Sequence, residues 1–130
     1  MAEAIRCIQT SDAPASAGHY SQAVVHAGTV YVSGLLPIDP KTGEKKLGPM
    51  EEQVEQVLCN LEAILRASGS GLSRVLKVTI YVSDIEAWPQ VNAVYTRHFG
   101  AHKPARAVIP VGPLHYGCKV ELEAIAAVDY

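Results

Sequence analysis

Three charged side chains in this 130-residue sequence have types and positions suited to chemistry in a ligand cleft. Arg106 begins a short apolar run, and Glu121 and Glu123 lie two residues apart in the last apolar run. A guanidinium can bind a carboxylate through two parallel N–H donors, and a carboxyl group can take up and return a proton. Each also has an ordinary interpretation, because strand arginines often form surface ion pairs and carboxylates at i and i+2 often mark a solvated sheet face. These residues alone define no function.

Other catalytic constellations are weakly supported. His98 and His102 have helical spacing, but a glycine separates them and a proline follows, so surface or helix-end histidines are favoured over a metal pair. The fragment Gly69–Gly71 lacks the glycine and lysine of a phosphate-binding loop and is typical of a helix-to-strand turn. Ser21 and Ser33 lie in no G-x-S-x-G elbow. We therefore expect no metal, no cofactor and no covalent nucleophile.

Alternation and turn residues predict the strands that position these side chains. The run Val24–Ser33 predicts a hairpin that turns at Ala27-Gly28. Strands are also predicted at Val75–Val82, at Ala105–Val111, whose Pro110 indicates an edge or a bulge, and at Cys118–Val128. A further strand is expected within Ile5–Gln9.

The period of two assigns the faces of two of these strands. In the strand at 75–82, one face should carry Leu76, Val78, Ile80 and Val82, and the other Lys77, Thr79 and Tyr81. In the last strand, one face should carry Val120, Leu122, Ala124, Ala126 and Val128, and the other Lys119, Glu121 and Glu123.

Two amphipathic helices are predicted between the strands. Apolar residues from Val54 to Leu65 form one stripe of a helix over Glu51–Arg66, which Gly69 ends. A second helix begins near Trp88 and ends at Gly100. The resulting order predicts an α/β (α+β) fold, a mixed sheet with two α-helices on one face.

Length and composition limit the class of protein. At 130 residues, 48% hydrophobic, with a net charge of −2, the chain is expected to form one domain over residues 1–130 and to bind neither nucleic acid nor a membrane surface. Cys7, Cys59 and Cys118 form no metal or disulfide pattern. No secretory signal or membrane-spanning segment is recognisable, so a cytoplasmic location is expected.

Several blocks, read in order, resemble the signatures of the Rid/YjgF/YER057c imine deaminases. They are YSQA at 20–23, V-S-G-x-x-P-x-D-P at 32–40, V-N-x-V-Y at 91–95, P-A-R at 104–106 and V-E-x-E-A-I-A at 120–126, and the similarity spans residues 4 to 128. The resemblance implies a chorismate-mutase-like fold and a homotrimer with a barrel-like core. It also implies three ligand clefts between neighbouring subunits.

The same resemblance implies the site residues. Arg106 of P-A-R is expected to hold the substrate carboxylate, and Glu121 is the carboxylate of V-E-x-E that matches the cleft, whereas Glu123 is expected to be structural. The other matching positions, expected to bind substrate, are Tyr20, Ser33, Gly34 and Asn92.

The sequence departs from the family pattern at four positions, with Leu35 in place of Gln, His19 in place of Pro, Ala107 in place of Ser, and His115 in place of the Pro before the last strand. Leu35, Ala107 and the segment His115-Tyr116 are expected to border the cleft or its loops. They affect substrate preference more than the type of reaction.

The implied activity is hydrolysis of 2-imino acids, of the 2-iminobutanoate and 2-iminopropanoate kind, to 2-keto acids and ammonia. Arg106 would fix the carboxylate, while Glu121, directly or through water, would activate water and supply a proton to nitrogen. Two alternatives remain open: a small-carboxylate-binding regulator without turnover, and a chaperone-like or ribonucleolytic member of the family.

Overall fold

The predicted strands pair into one six-stranded mixed sheet. The computed structural model describes residues 4–128, and its strands follow the order β1-β2-β3-β6-β4-β5. Neighbouring strands are antiparallel except β4 and β5, which are parallel. The strands are β1 (Arg6–Ile8), β2 (Ala23–His26), β3 (Thr29–Leu35), β4 (Val75–Val82), β5 (Ala105–Pro110) and β6 (Val120–Ala127).

The β2–β3 hairpin turns where the sequence predicts it. Ala27 and Gly28 both have positive φ, 51° and 80°, which is the conformation that two-residue hairpins need at their central positions. The carbonyl of Gly28 also accepts a hydrogen bond from the backbone N–H of Val128 at 3.0 Å, so the turn is joined to the end of β6.

Two helices, α1 (Met50–Ala67) and α2 (Trp88–Phe99), confirm the predicted helical segments. After α1, Gly69 has a φ of 83°, and the N–H groups of Gly69 and Ser70 donate to Arg66 O and Leu65 O at 3.2 and 2.8 Å. This is the Schellman arrangement, which satisfies the last carbonyls of a helix. Before α2, the carboxylate of Asp84 caps a short 3₁₀ turn (Ile85–Ala87) by accepting from Glu86 N at 3.0 Å.

The core lies on one face of the sheet, beneath both helices. Cross-strand neighbours Val30 and Ala126, and Val78 and Ala124, are all buried and belong to the same cluster as the inner stripes of α1 and α2. The fully buried apolar side chains of α1 are Val54, Val57, Leu58, Leu61, Ile64 and Leu65. The predicted architecture is therefore confirmed, and the opposite sheet face is left open.

The predicted core face of β4 is wrong at one residue, Leu76. The pairing of β4 with β6 shifts between Val75 and Lys77, so Leu76 is an additional residue at a β-bulge. Val75 rather than Leu76 therefore enters the core, and Leu76 is 52% exposed. Beyond the bulge, Val78, Ile80 and Val82 are buried as predicted.

Two strands, β5 and β6, also differ slightly from the expected ranges. β5 ends at Pro110, one residue before the predicted end, and it is an edge strand, as the proline indicates. β6 covers Val120–Ala127 rather than the longer range from Cys118 to Val128, although both of those residues are buried.

Candidate functional site

The predicted site residues fall into two groups on opposite faces of the sheet. Glu121 alternates with the buried Val120 and Leu122, so it projects from the open face. Arg106 is level with the buried Val78 of the neighbouring strand, so it projects toward the helices. The open-face group contains Tyr20, Ser33, Gly34 and Glu121, and the helix-side group contains Asn92 and Arg106.

A cavity of about 460 Å³ contains the open-face group. Its walls come from the loop before β2, the end of β3 with the residues after it, and the short turn before β6. Polar groups from Tyr20, Glu121 and His115 converge on walls that are otherwise largely apolar. Such a lining is typical of a small-molecule site.

A β-bulge in β3 shapes the floor of this cavity. The pairing of β3 with β6 shifts between Val32 and Leu35, so Ser33 and Gly34 together occupy the space opposite one residue of β6. A Cβ at Gly34 would overlap the Glu121 carboxylate, so glycine at this position lets that carboxylate lie directly against the backbone of β3. The bulge therefore exposes Glu121 to the cavity.

Ser33 contributes mainly to the structure of the cavity floor in this protomer. Its hydroxyl donates to Ser21 O at 2.7 Å, and its backbone N–H donates to Gln22 O at 3.0 Å. Both donors thereby hold the loop before β2 against β3. Ser33 is expected to bind substrate and lines the cavity, but its backbone N–H and its hydroxyl hydrogen are both engaged within the protein.

Among the residues that the structure describes, Glu121 is the only one that brings a carboxyl group to the lining of the cavity. Burial raises the pKa of Glu121 above its ordinary value, nearby His115 opposes this rise, and Glu123 adds to it. A raised pKa makes a carboxyl group a better proton acceptor and lets it hold a proton at higher pH than an ordinary glutamate does.

Glu123, on the same face as Glu121, has a different environment. Its carboxylate accepts a hydrogen bond from the Tyr81 hydroxyl at 2.5 Å, and this bond is the main cause of a raised pKa for Tyr81. Glu123 thus has a protein partner and does not line the cavity of Glu121.

Buried amide side chains hold the cavity walls, and sequence reasoning did not identify them. Gln22 accepts from Thr10 N and donates to Thr10 O and Pro14 O at 2.7, 3.1 and 2.8 Å. Asn60 donates to Leu36 O and Ile38 O at 3.3 and 3.0 Å. Gln22 lies within the YSQA block, which was the available signal.

The helix-side group is organised around the Arg106 guanidinium. Its Cζ lies 4.6 Å from the ring centroid of Trp88 and 4.6 Å from that of Tyr95, and its Nη1 donates to Asn92 Oδ1 at 3.2 Å. Within residues 4–128, no carboxylate forms a salt bridge with Arg106. Its charge is therefore available to an anionic ligand.

Sequence reasoning also missed the two rings beside Arg106. Trp88, Asn92 and Tyr95 are spaced at i, i+4 and i+7 in α2, which puts them on one stripe of the helix. The Tyr95 hydroxyl is buried without a hydrogen-bond partner of good geometry. Burial raises the pKa of Tyr95, and the charge of Arg106 opposes that rise.

The two histidines at helical spacing are engaged separately. His98 Nε2 lies 2.6 Å from Glu55 Oε2, and His102 Nε2 lies 2.7 Å from Val75 O. No group of three or more His, Cys, Asp or Glu side chains in the described part of the chain is arranged to hold a metal ion. Among residues 4–128, no helix has both the length and the apolar character needed to cross a membrane.

Each group has the chemistry for half of a reaction on a carboxylate-bearing substrate. Arg106 and Asn92 supply N–H donors for a carboxylate, and the cavity of Glu121 supplies an acid–base group. Because the sheet separates the two groups, they do not form a single site within one protomer.

Known proteins resemble this chain over nearly its whole length. A RutC family protein of Pyrococcus horikoshii is 44% identical over 119 residues, covering 92% of this chain and 94% of the relative. A 2-iminobutanoate/2-iminopropanoate deaminase of Rattus norvegicus is 42% identical over 121 residues, covering 93% of this chain and 88% of the relative.

Solved structures share the fold. The crystal structure of E. coli TdcF with bound serine superposes with a TM-score of 0.91 at 32% sequence identity, covering 95% of this chain and 99% of TdcF. A family model described as Endoribonuclease L-PSP matches residues 10–128. The chain therefore belongs to the L-PSP endoribonuclease family, which is the Rid/YjgF family that its sequence blocks resemble.

Proposed function

We propose that this protein is a homotrimeric imine deaminase that hydrolyses 2-imino acids to 2-keto acids and ammonia at clefts between subunits. The main support for the proposal is that one protomer has a group suited to bind a carboxylate around Arg106 and a separate acid–base group around Glu121. The reaction needs both halves at one substrate. A neighbouring copy of the chain can supply the missing half to each cavity.

The open face of the sheet supports assembly with further copies. Tyr31 is 50% exposed and Ile109 is 40% exposed on this face, and Tyr31 pairs across the strands with the partly buried Ile125. Apolar side chains on an uncovered sheet face are typical of a surface that another chain buries. We propose that a second and a third copy of the chain cover this face and form the homotrimer that the family resemblance implies.

The chemistry of the substrate matches the two halves. A 2-imino acid carries a carboxylate beside an electrophilic C=N carbon, so a guanidinium that binds the carboxylate also fixes the position of that carbon. The serine bound in TdcF has the same arrangement of a carboxylate next to a nitrogen-bearing carbon. The deaminase relative at 42% identity supports this substrate class.

Glu121 provides the proton transfers in this proposal. As a carboxylate it accepts a proton from water while the water oxygen bonds to the carbon of the protonated imine and the C=N π electrons move to nitrogen. As a carboxylic acid it then returns that proton to the amine nitrogen, the C–N bond breaks as the hydroxyl group loses its proton to solvent water, and ammonia leaves with the 2-keto acid. General acid–base help of this kind contributes about 10²–10⁴-fold.

The second candidate function is a small-carboxylate-binding regulator. The bound serine in TdcF favours it, because binding of a small carboxylate requires only the same cleft and no turnover. A ribonucleolytic or chaperone-like role is the third candidate, since the family carries the description endoribonuclease. The net charge of −2 disfavours RNA as the ligand, because affinity for RNA depends on basic surfaces.

One assay separates these candidates. 2-Iminobutanoate is generated in situ by a threonine dehydratase, and its disappearance and the release of ammonia are followed with and without the protein. We expect accelerated hydrolysis. Binding of 2-oxobutanoate without any acceleration would favour the regulator, and cleavage of single-stranded RNA without imine hydrolysis would favour the ribonuclease.

A further inference from the structure

We propose that Trp88 and Tyr95 are positioning residues, which hold the Arg106 guanidinium in its carboxylate-binding orientation. The proposal rests on the proposed function insofar as Arg106 binds the substrate carboxylate. What it adds is that two aromatic rings of α2 influence substrate binding through Arg106.

The distances define a stack of four side chains. The guanidinium carbon of Arg106 lies 4.6 Å from each of the ring centroids of Trp88 and Tyr95, within the range of cation–π contacts. The ring of Tyr95 is stacked in turn on Phe99, with centroids 4.4 Å apart and planes at 29°. Tyr95 and Phe99 are buried in the core, so the stack has a rigid base.

Arg106 needs such support because its own strand offers little. β5 lies at the edge of the sheet and is hydrogen-bonded to β4 alone. A long arginine side chain on an edge strand samples many rotamers, and ordering it on ligand binding would reduce affinity. The rings and the Asn92 amide order the side chain before the ligand arrives.

Aromatic rings are suited to orient an arginine because they can contact its guanidinium without replacing a ligand at the N–H edge. Each ring lies beneath the guanidinium carbon, whereas a carboxylate partner would occupy the N–H edge that a substrate carboxylate needs. Nη1 donates to Asn92 Oδ1 at 3.2 Å, and a hydrogen-bonding interaction with Arg106 also helps to oppose the rise in the pKa of Tyr95. The remaining donors can form a two-point contact with a substrate carboxylate.

The first test measures binding of 2-oxobutanoate to the assembled protein by titration calorimetry. Trp88→Leu removes the ring and keeps an apolar side chain, Trp88→Phe restores a ring, and Ile85→Ala is a control at an exposed position in the preceding 3₁₀ turn. We expect Trp88→Leu to weaken binding about five- to tenfold, with Trp88→Phe and Ile85→Ala within about twofold of the wild type. Equal affinity of the Leu variant and the wild type, or equal losses in the Leu and Phe variants, would overturn the proposal.

The second test requires no ligand and no turnover. Trp88 is the only tryptophan of the chain, so its fluorescence reports on the stack directly. We expect Arg106→Leu to shift the emission maximum and change the intensity, and a matched Arg97→Leu substitution in the last turn of α2 to leave both unchanged. An unchanged spectrum in Arg106→Leu would refute the stack, whereas an intact stack in a protein that does not hydrolyse imines would refute only the proposed function.

Discussion

Arg106 and Glu121 each have surroundings that suit one half of the proposed reaction. The guanidinium is held by two rings and one amide oxygen and keeps its charge without a carboxylate partner among residues 4–128. Glu121 lies over Gly34 in a cavity where burial raises its pKa. The two side chains can therefore be tested independently.

Replacement of Arg106 by Lys should lower kcat/KM for 2-iminobutanoate at least about tenfold, equivalent to roughly 1.4 kcal/mol of transition-state stabilisation. Lysine keeps the positive charge, but its single ammonium cannot reproduce the planar fork or stack on Trp88 and Tyr95 in the same way. The measurement is steady-state imine hydrolysis with the assembly state verified. Wild-type kinetics in an intact assembly would show that Arg106 has only a structural role.

Glu121→Gln should reduce turnover far more than it reduces affinity for 2-oxobutanoate, because glutamine preserves size and polarity but cannot exchange a proton. Glu123→Gln is the matched control on the same face, and it should chiefly affect stability through its bond with Tyr81. Equal small effects from both substitutions would contradict the assignment of Glu121. A larger effect from Glu123→Gln would identify the other carboxylate as the acid–base group.

The pH dependence follows from the direction of the Glu121 shift. If the ionised carboxylate accepts the first proton, kcat/KM falls as pH decreases through the pKa of Glu121. Because burial raises that pKa, the decline should occur at higher pH than for an ordinary glutamate. The profile of Glu121→Gln should lack this acidic limb, and persistence of the limb would assign it to another group.

At the level of elements, loops held by buried amides position the cavity walls. Gln22, just before β2, joins the loop at 10–14 to the sheet, and Asn60 of α1 donates to two backbone carbonyls of the segment that follows β3. A buried amide that serves several backbone groups leaves them unsatisfied when it is removed. The cavity walls thus depend on the side-chain amides of Gln22 and Asn60, which bind the backbone and not a substrate.

Gln22→Leu should therefore lower the free energy of unfolding by roughly 2–3 kcal/mol, since Thr10 and Pro14 lose their partners at a largely buried position. Gln90→Leu, at an exposed position of α2, should change stability by about 0.5 kcal/mol or less. Denaturant unfolding of both variants provides the comparison. If Gln22→Leu is as stable as Gln90→Leu, the amide does not hold the loop.

At the level of the whole molecule, the function that we propose depends on assembly. Light scattering at micromolar concentration should give about three times the chain mass of 13.9 kDa. Tyr31→Glu places a charge on the open sheet face and should produce monomers without imine hydrolysis, because burying an unpaired charge is strongly unfavourable. Leu47→Glu, at an exposed apolar residue outside the sheet, is the control. A monomeric but active wild type would exclude a site shared between subunits.

The single domain over residues 1–130 and the cytoplasmic location stay predictions. Residues 4–128 contain one core cluster, which runs from Ile8 in β1 to Val128 after β6.

The sequence by itself determined the elements, because their signals are local. Glycine at the hairpin turn, the glycine after α1 and the apolar stripes of both helices depend on neighbours within a few residues. Local alternation predicted the wrong face for Leu76. The pairing with β6 shifts there and adds one residue to β4, which interrupts the period of two. Residue type and position singled out Arg106 and Glu121, together with Glu123, but the other four site residues and the roles of all six came from the family resemblance.

Only the tertiary structure decided that Arg106 and Glu121 face opposite sides of the sheet. Apart from Arg106, every residue at 105–110 is apolar, so the sequence has no alternation that would show which side of β5 faces the core. The parallel register with β4 decides it. The stack of Trp88 and Tyr95 on Arg106 likewise joins α2 to β5 across a turn. Contacts of this kind depend on how distant segments pack, which is information that residue spacing along one strand does not contain.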